Sequence, residues 1–251
     1  MEVHKHPHHV THKKKWPEYL LEFFMLFLAV FLGFVAENAR EHAAENQRAK
    51  TYAANLYEEL KKDTTNLNRT IEGTRLMADK LDTFCLYSTE KAKLNISNGM
   101  LYYYASYMLS LTIYTWDNTT IEELKSSGNL RIMGNQIPEK INVYGKLLSE
   151  LENEYALTKT EFAKIEDLYF KIFDGYKSQV LILSAKPLSK DSIFKLSIPF
   201  INDDPKLMKE FTGWQKFEVK IYQRQIDTYL LPVKQIATEL LLLLKKEYHL
   251  N

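Results

Sequence analysis

Phe23 to Ala36 is an unbroken apolar run, FFMLFLAVFLGFVA, and Tyr19, Leu20 and Leu21 extend it backwards past one carboxylate, Glu22. Water penalises so much contiguous apolar surface, so a chain carrying it must bury the run in protein or place it in lipid. The run is also sorted by face. At 100° per residue, Phe23, Phe24, Phe27, Phe31 and Phe34 fall within roughly a 100° arc, while Glu22, Ala29, Gly33 and Ala36 gather on the opposite side. Small residues let helices approach closely in a membrane, and a carboxylate there is tolerated when it meets a partner, water or the interface. The pattern predicts a helix that packs through Glu22, Ala29, Gly33 and Ala36 against an integral membrane partner or a second copy of itself.

The length suits a single span. Tyr19 to Ala36 would measure about 27 Å as a helix against a hydrocarbon core of roughly 30 Å, and counting from Trp16 closes the gap. Trp16 and Tyr19 are suited to the interface. The Phe, Leu and Val residues between Phe23 and Val35 favour insertion by about 3 to 6 kcal/mol in total, and an edge Glu that snorkels offsets only part of this. A cleaved secretory signal is the main competing reading. It needs small residues at positions −3 and −1 of the cut, whereas cutting after Ala36 places Phe34 at −3 and cutting after Ala39 places Glu37 there. A retained anchor is therefore expected. A buried helix of a soluble domain fits less well, because five phenylalanines on one stripe with no polar face are unusual outside lipid.

The flanks set an expected orientation. Lys5, Lys13, Lys14 and Lys15 stand before the run against one acid, Glu2, whereas residues 37–50 mix both signs. The positive-inside rule then puts residues 1–15 in the cytoplasm, residues 16–36 in the inner membrane and residues 37–251 on the periplasmic side. Cys85 is the sole cysteine and neither supports nor opposes that location. The triplets at Asn68, Asn95 and Asn118 match glycosylation acceptors but arise easily by chance. The leader holds His4, His6, His8, His9 and His12, five of the chain's seven histidines. Such density can bind Zn²⁺, Cu²⁺ or Ni²⁺. With Pro7 present and few apolar residues to preform a site, a disordered basic tail near anionic lipid is the better reading.

Residues 37–251 are long enough for one sizeable domain. The whole chain has only eight glycines and seven prolines, and its charged and apolar residues alternate at helical spacing. From Glu37 to about Lys93, Leu56, Leu60, Leu67, Ile71, Met77, Leu81 and Phe84 mark a helix that prolongs the anchor as a stalk. Asn98-Gly99 reads as a turn. LYYYASYMLSLTIYTW fits helix or strand, and Tyr102, Tyr103, Tyr104, Tyr107 and Tyr114 read as core rings with wet hydroxyls. Thr119-Thr120-Ile121-Glu122-Glu123 has capping-box spacing, with Gly128 placed for a left-handed stop. The cluster Lys125, Ser126, Ser127, Gly128 and Arg131 reads as a punctuated helical corner, with anion binding the lesser reading. Pro138 suits the first turn of a long helix that Gly175 interrupts. Residues 186–206 form an irregular connection. A last helix from about Pro205 to Tyr248 should be kinked or divided at Pro232. The expected fold class is all-α: a single N-terminal transmembrane helix continuing into a membrane-proximal antiparallel helical bundle.

No catalytic constellation assembles. The chain lacks HExxH, GxxxxGK[ST], GxGxxG and GxSxG, and the only histidines outside the leader are His42 and His249. Glu58-Glu59, Glu122-Glu123 and Asp203-Asp204 read as solvated faces, helix starts and loops. No cofactor or metal site is expected outside the leader, and a net charge of +1 disfavours nucleic acid as a partner. LLEFFMLFLAVFLGFVAENAREHAAE followed by a leucine-spaced helix, and then TTIEELKSSGNLRIMGN, resemble a family of uncharacterised single-pass helical membrane proteins from Gram-negative bacteria. The resemblance covers the anchor, the stalk and the helical corner, and it implies architecture alone, because the family carries no known activity. The functional expectation is a non-enzymatic interaction protein, an accessory or scaffold subunit of an inner-membrane complex or a homo-oligomer. The alternative is a periplasmic ligand-sensing bundle that signals through a partner. A hydrolase with dispersed carboxylates ranks third.

Overall fold

A computed structural model describes residues 15–110, 112–134 and 136–250. The histidine-rich leader, His4 to His12, lies outside the described residues. The protein is 84% helix, with no strand among the described residues, and it divides into two compact units, Met1–Thr51 and Tyr52–Asn251.

In the first unit the described chain is the opening part of α1 (Trp16–Thr89). Pro17 sits in the first turn, where its missing N–H costs nothing. Glu18 reaches back to accept the Lys15 N–H at 3.2 Å, and so helps fix where the helix starts. Every residue from Trp16 to Ala44 is exposed. Among the described residues a single helix is apolar and long enough to cross a membrane, and none of its apolar window is covered by protein.

The second unit contains the rest of α1, and there the leucine spacing does its expected work: Leu56, Leu60, Leu67, Ile71, Met77, Leu81 and Phe84 are all buried. After α2 (Lys91–Leu94) the chain turns at Asn95, whose backbone is left-handed. Asn98-Gly99 is not that turn. These residues open α3 (Asn98–Ala105), with Ser97 accepting the Met100 N–H as its cap. The reason is tertiary. The start of α3 is pressed against residues 193–198: Gly99 N–H donates to Leu196 O at 3.1 Å, Ser97 Oγ to Phe194 O at 2.6 Å, and Asn98 Nδ2 to Ile198 O at 2.8 Å. A short 3₁₀ turn (Ser106–Leu109) follows, and residues 112–118 cross the unit as irregular chain, so the tyrosine-rich stretch is helix and strap with no strand. The rings of Tyr102, Tyr104 and Tyr114 are core as expected, whereas Tyr103 and Tyr107 are half-buried and the Tyr102 and Tyr114 hydroxyls bond inside the protein instead of staying wet.

Helix α4 (Thr119–Ser126) ends where the sequence places it, with Gly128 at φ +68°. Its expected capping box does not form. Thr119 turns to Asp117, whose Oδ1 accepts its N–H and its hydroxyl at 3.1 and 2.7 Å. Glu59 of α1 does the capping, taking the Thr120 N–H at 3.1 Å and the Thr120 hydroxyl at 2.6 Å. A distant carboxylate thus serves a helix start that the local pattern assigns to Glu122 or Glu123.

Helix α5 (Ile137–Ile172), with Pro138 in its first turn, packs along α8 (Pro205–Arg224) and α9 (Leu231–Tyr248). Lys140 pairs with Glu239 at 2.6 Å, Arg224 with Glu154, and Gln225 Nε2 donates to Thr158 Oγ1 at 3.2 Å. Between Leu151 and Ile165 the only buried residue of α5 is Glu154. The connection from 173 contains α6 (Gly175–Ser178), a π-helical turn (Gln179–Leu183) and α7 (Lys190–Phe194). The last helix is divided just before Pro232, as expected. The chain widens to a π-helix over Gln225–Leu230, with Leu231 N–H reaching back to Ile226 O, and re-enters α-geometry with Pro232 in the first turn of α9. An extra residue per turn lets a helix pass a proline, which can neither donate nor tolerate the carbonyl four residues back.

Gly99 is the tightest of these joints. A Cβ there would lie 1.9 Å from Ile193 O, a backbone atom. Gly99→Ala should therefore cost roughly 3 kcal/mol in chemical denaturation of the full chain, as overpacking against a fixed backbone does. Gly128→Ala, strained only by its positive φ, should cost about 1 kcal/mol.

Candidate functional site

Glu22, Ala29, Gly33 and Ala36 all lie on the exposed opening part of α1. Helical geometry keeps them on one face, opposite the phenylalanine stripe, where the Phe27 and Phe31 rings stack at 6.1 Å. A Cβ at Gly33 would meet nothing within 4 Å. Side chains as large as Trp16, 80% exposed, and Phe34, 70% exposed, have no cover from their own chain. The described part of the first unit thus presents an apolar cylinder with one small-residue side.

The corner around α4 is closed on itself. Ser126 and Ser127 donate to Glu123 O at 3.3 and 2.6 Å, which caps the end of the helix and directs both hydroxyls inward to backbone. Tyr52 OH donates to Glu123 Oε1 at 3.1 Å and accepts from Asn129 Nδ2 at 3.2 Å, tying the corner to α1. The hydroxyls that the sequence offered to an anion are used in building the corner.

Sequence reasoning missed two buried polar places. The first is Asp63, 1% exposed on α1. Tyr144 OH donates to its Oδ2 at 3.0 Å and the Asp117 N–H to its Oδ1 at 3.3 Å. Since the one proton of Tyr144 is committed to Asp63, Tyr114 is the donor in the 3.3 Å Tyr114–Tyr144 contact. The Tyr114 N–H in turn donates to Tyr155 OH at 3.1 Å. Burial pushes the Asp63 carboxyl above its ordinary value, and the Tyr144 hydrogen bond holds it back. The chain of bonds fastens the 112–118 strap between α1 and α5. Its hydrogen-bonded partners stand 30 to 81 positions apart in sequence, so no local pattern announces them.

The second place is on α8, where Gln215 and Glu218 face inward, 0% and 3% exposed. Among the described residues neither the Gln215 amide nor the Glu218 carboxyl has a hydrogen-bond partner. Burial, with Glu161 adding like charge, pushes Glu218 up to about 7. Helical spacing does contain the signal. Gln215 and Glu218 continue the Phe211–Tyr222 stripe, whereas the more apolar Phe217 points outward at 44% exposure. Cys85 is also buried, its thiol pushed up to about 11 by burial and directed at Thr212 O, which makes it a poor nucleophile. Among the described residues no group of three or more His, Cys, Asp or Glu is placed to hold a metal ion.

Comparison of the chain with protein-family models, with curated proteins and with solved structures finds no match.

The Glu218 carboxyl has a clear pH consequence. Its folded pKa lies above the unfolded value, so folding retains the proton. The stability this brings is fully present below the ordinary carboxylate pKa and is lost as pH rises through about 7. Thermal melts from pH 4.5 to 8 should show Glu218→Leu gaining on the wild type as pH rises, by roughly 2–3 kcal/mol at pH 8. A constant difference between the two across that range would contradict an uncompensated buried carboxyl.

Proposed function

We propose that this protein is a membrane-anchored, non-enzymatic interaction protein, akin to the uncharacterised single-pass helical membrane proteins it resembles in sequence. It serves as an accessory or scaffold subunit of an inner-membrane complex, or assembles with itself, through Glu22, Ala29, Gly33 and Ala36. The observation that carries the reading is the exposure of every side chain from Trp16 to Val35. Fifteen large apolar side chains in this segment have no protein cover, and water alone would penalise each by about 1.5–3 kcal/mol. A secretory signal would be apolar and uncovered in the same way. The bulky Phe34 and the charged Glu37 at the −3 positions of the available cuts favour retention.

The lysine-rich leader supports a cytoplasmic N-terminus and a periplasmic second unit. Within that unit, α1, α5 and the α8–α9 pair are read as an antiparallel bundle. Supporting this, residues 140 and 154 of α5 meet residues 239 and 224, so sequence rises on one helix as it falls on the other. Small residues on the face opposite the phenylalanines support association by close backbone approach.

Membranes from cells expressing the full chain with a C-terminal tag test the reading. The protein should stay in the pellet after alkaline carbonate washing at its full length, and should be digested by protease added to spheroplasts. Gly33→Leu, which meets no obstacle within its own chain, should reduce recovery of the bound partner or of the crosslinked self-dimer several-fold, while Phe31→Leu should not. A soluble mature chain lacking its first three dozen residues, or equal recovery in both variants, would refute it.

A further inference from the structure

The stretch of α5 without buried apolar residues borders a mainly apolar cavity of the second unit, about 380 Å³. Tyr155, Thr158, Lys159 and Phe162 line it from α5, Thr112 and Ile113 from the strap, and Tyr222 and Gln225 from α8 and the π-helical turn. The volume falls in the range of small-ligand sites. Three rings, Tyr155, Phe162 and Tyr222, give it an aromatic wall.

Its polar groups divide into used and unused. Thr158 donates to Glu154 O at 2.9 Å and accepts from Gln225, so both of its hydroxyl functions are engaged. Thr112 is directed at the Met77 sulfur. The Tyr222 ring is buried, 6% exposed, and its hydroxyl makes no hydrogen bond among the described residues but is not sealed from solvent, so its proton is free to give. Tyr155 accepts from the Tyr114 N–H and keeps its own proton to give. No carboxylate lies within ion-pair distance of Lys159 among the described residues. The unused groups are thus donors: two phenols and an ammonium. Glu161 and Glu218 do not line the space, although the Glu218 charge acts on Tyr222 as well as on Glu161.

We propose that this cavity binds a small amphiphile with an apolar body and a carboxylate head, the body against Tyr155, Phe162 and Ile113, the head taking hydrogen bonds from Tyr222 and the charge of Lys159. An alkane would leave the Tyr222 hydroxyl unpaired, and an ammonium head would set like charge against Lys159. The π-helical turn contributes by displacing Gln225 so that it pins Thr158, which holds the floor of the cavity open beside the aromatic wall. The proposal stands apart from the anchoring reading, since every lining residue lies in the second unit.

Titration calorimetry on the full chain in mild detergent, with octanoate as probe and octanol and octylamine as comparators, tests it. Octanoate should bind, with octanol roughly tenfold weaker and octylamine weaker still. Lys159→Met and Tyr222→Phe should each weaken octanoate roughly tenfold while leaving the melting temperature in the absence of ligand near that of the wild type. Ala156→Phe, at an exposed position on the rim, should abolish binding by filling the space. Octanoate heat indistinguishable from detergent blanks, octylamine binding as tightly as octanoate, or octanoate affinity unchanged in all three variants would each overturn the proposal. Loss of membrane anchoring would leave it standing, so the two readings fail separately.

Discussion

Phe173 sits where the second unit's elements converge. Its ring lies 6.3 Å from Phe84 of α1, 5.0 Å from Tyr102 of α3, 4.8 Å from Tyr169 of α5, 5.5 Å from Phe200 and 5.6 Å from Phe211 of α8. Aromatic pairs add about 0.5–1.5 kcal/mol each beyond area burial, and they prefer edge-on or offset geometry, so a hub of rings also fixes angles. The hub explains the backbone around it. Helix α5 must end at Ile172 for Phe173 to turn inward in extended conformation. The freed Ile172 carbonyl then accepts the Ile201 N–H at 2.8 Å, which draws the 198–201 segment across the rings. Tyr102 closes the arrangement by donating to Pro199 O and accepting from the Asp174 N–H.

Away from the hub the interior is polar in two different ways, and the difference is informative. Asp63 and Glu59 hold irregular chain and a helix start in place, and each is surrounded by donors that replace lost water. A carboxylate so supplied specifies one arrangement of the strap at modest cost. Glu218 and Gln215 have no such supply. They occupy core positions on α8 that an apolar residue would fill with less strain on the fold, so they are where the second unit gives up stability. The cavity lies one turn further along the same stripe, at Tyr222 and Gln225.

How far the sequence was legible follows from how local each determinant is. The stripe from Leu56 to Phe84, the helix start at Pro138 and the stop at Gly128 are written in neighbouring residues, and the fold keeps them. The capping of α4 and the role of Asn98-Gly99 were misread because the deciding partners, Glu59 and Ile193, stand far off in the chain. Phe217 and Trp214 look like core by residue type. Their periodicity loses to that of Phe211, Gln215, Glu218 and Tyr222, a stripe hidden by its two polar members. The Asp63 network and the cavity were invisible for a different reason. Both are assembled from three or more elements, and neither leaves a spacing to read.

The face of α1 that carries Ala29, Gly33 and Ala36 has meaning only in the solvent it occupies. In water, bulk would decide association, and the phenylalanine stripe would be the sticky side. In lipid that drive disappears, since acyl chains receive phenylalanine as readily as protein does, and what remains is the gain from close van der Waals approach. The side that wins then changes from the largest residues to the smallest. Proposed anchoring therefore makes a reversed demand on the same helix: the stripe that looks most adhesive faces the bilayer, and contact passes to the slender edge, where Glu22 can find a polar partner at the interface.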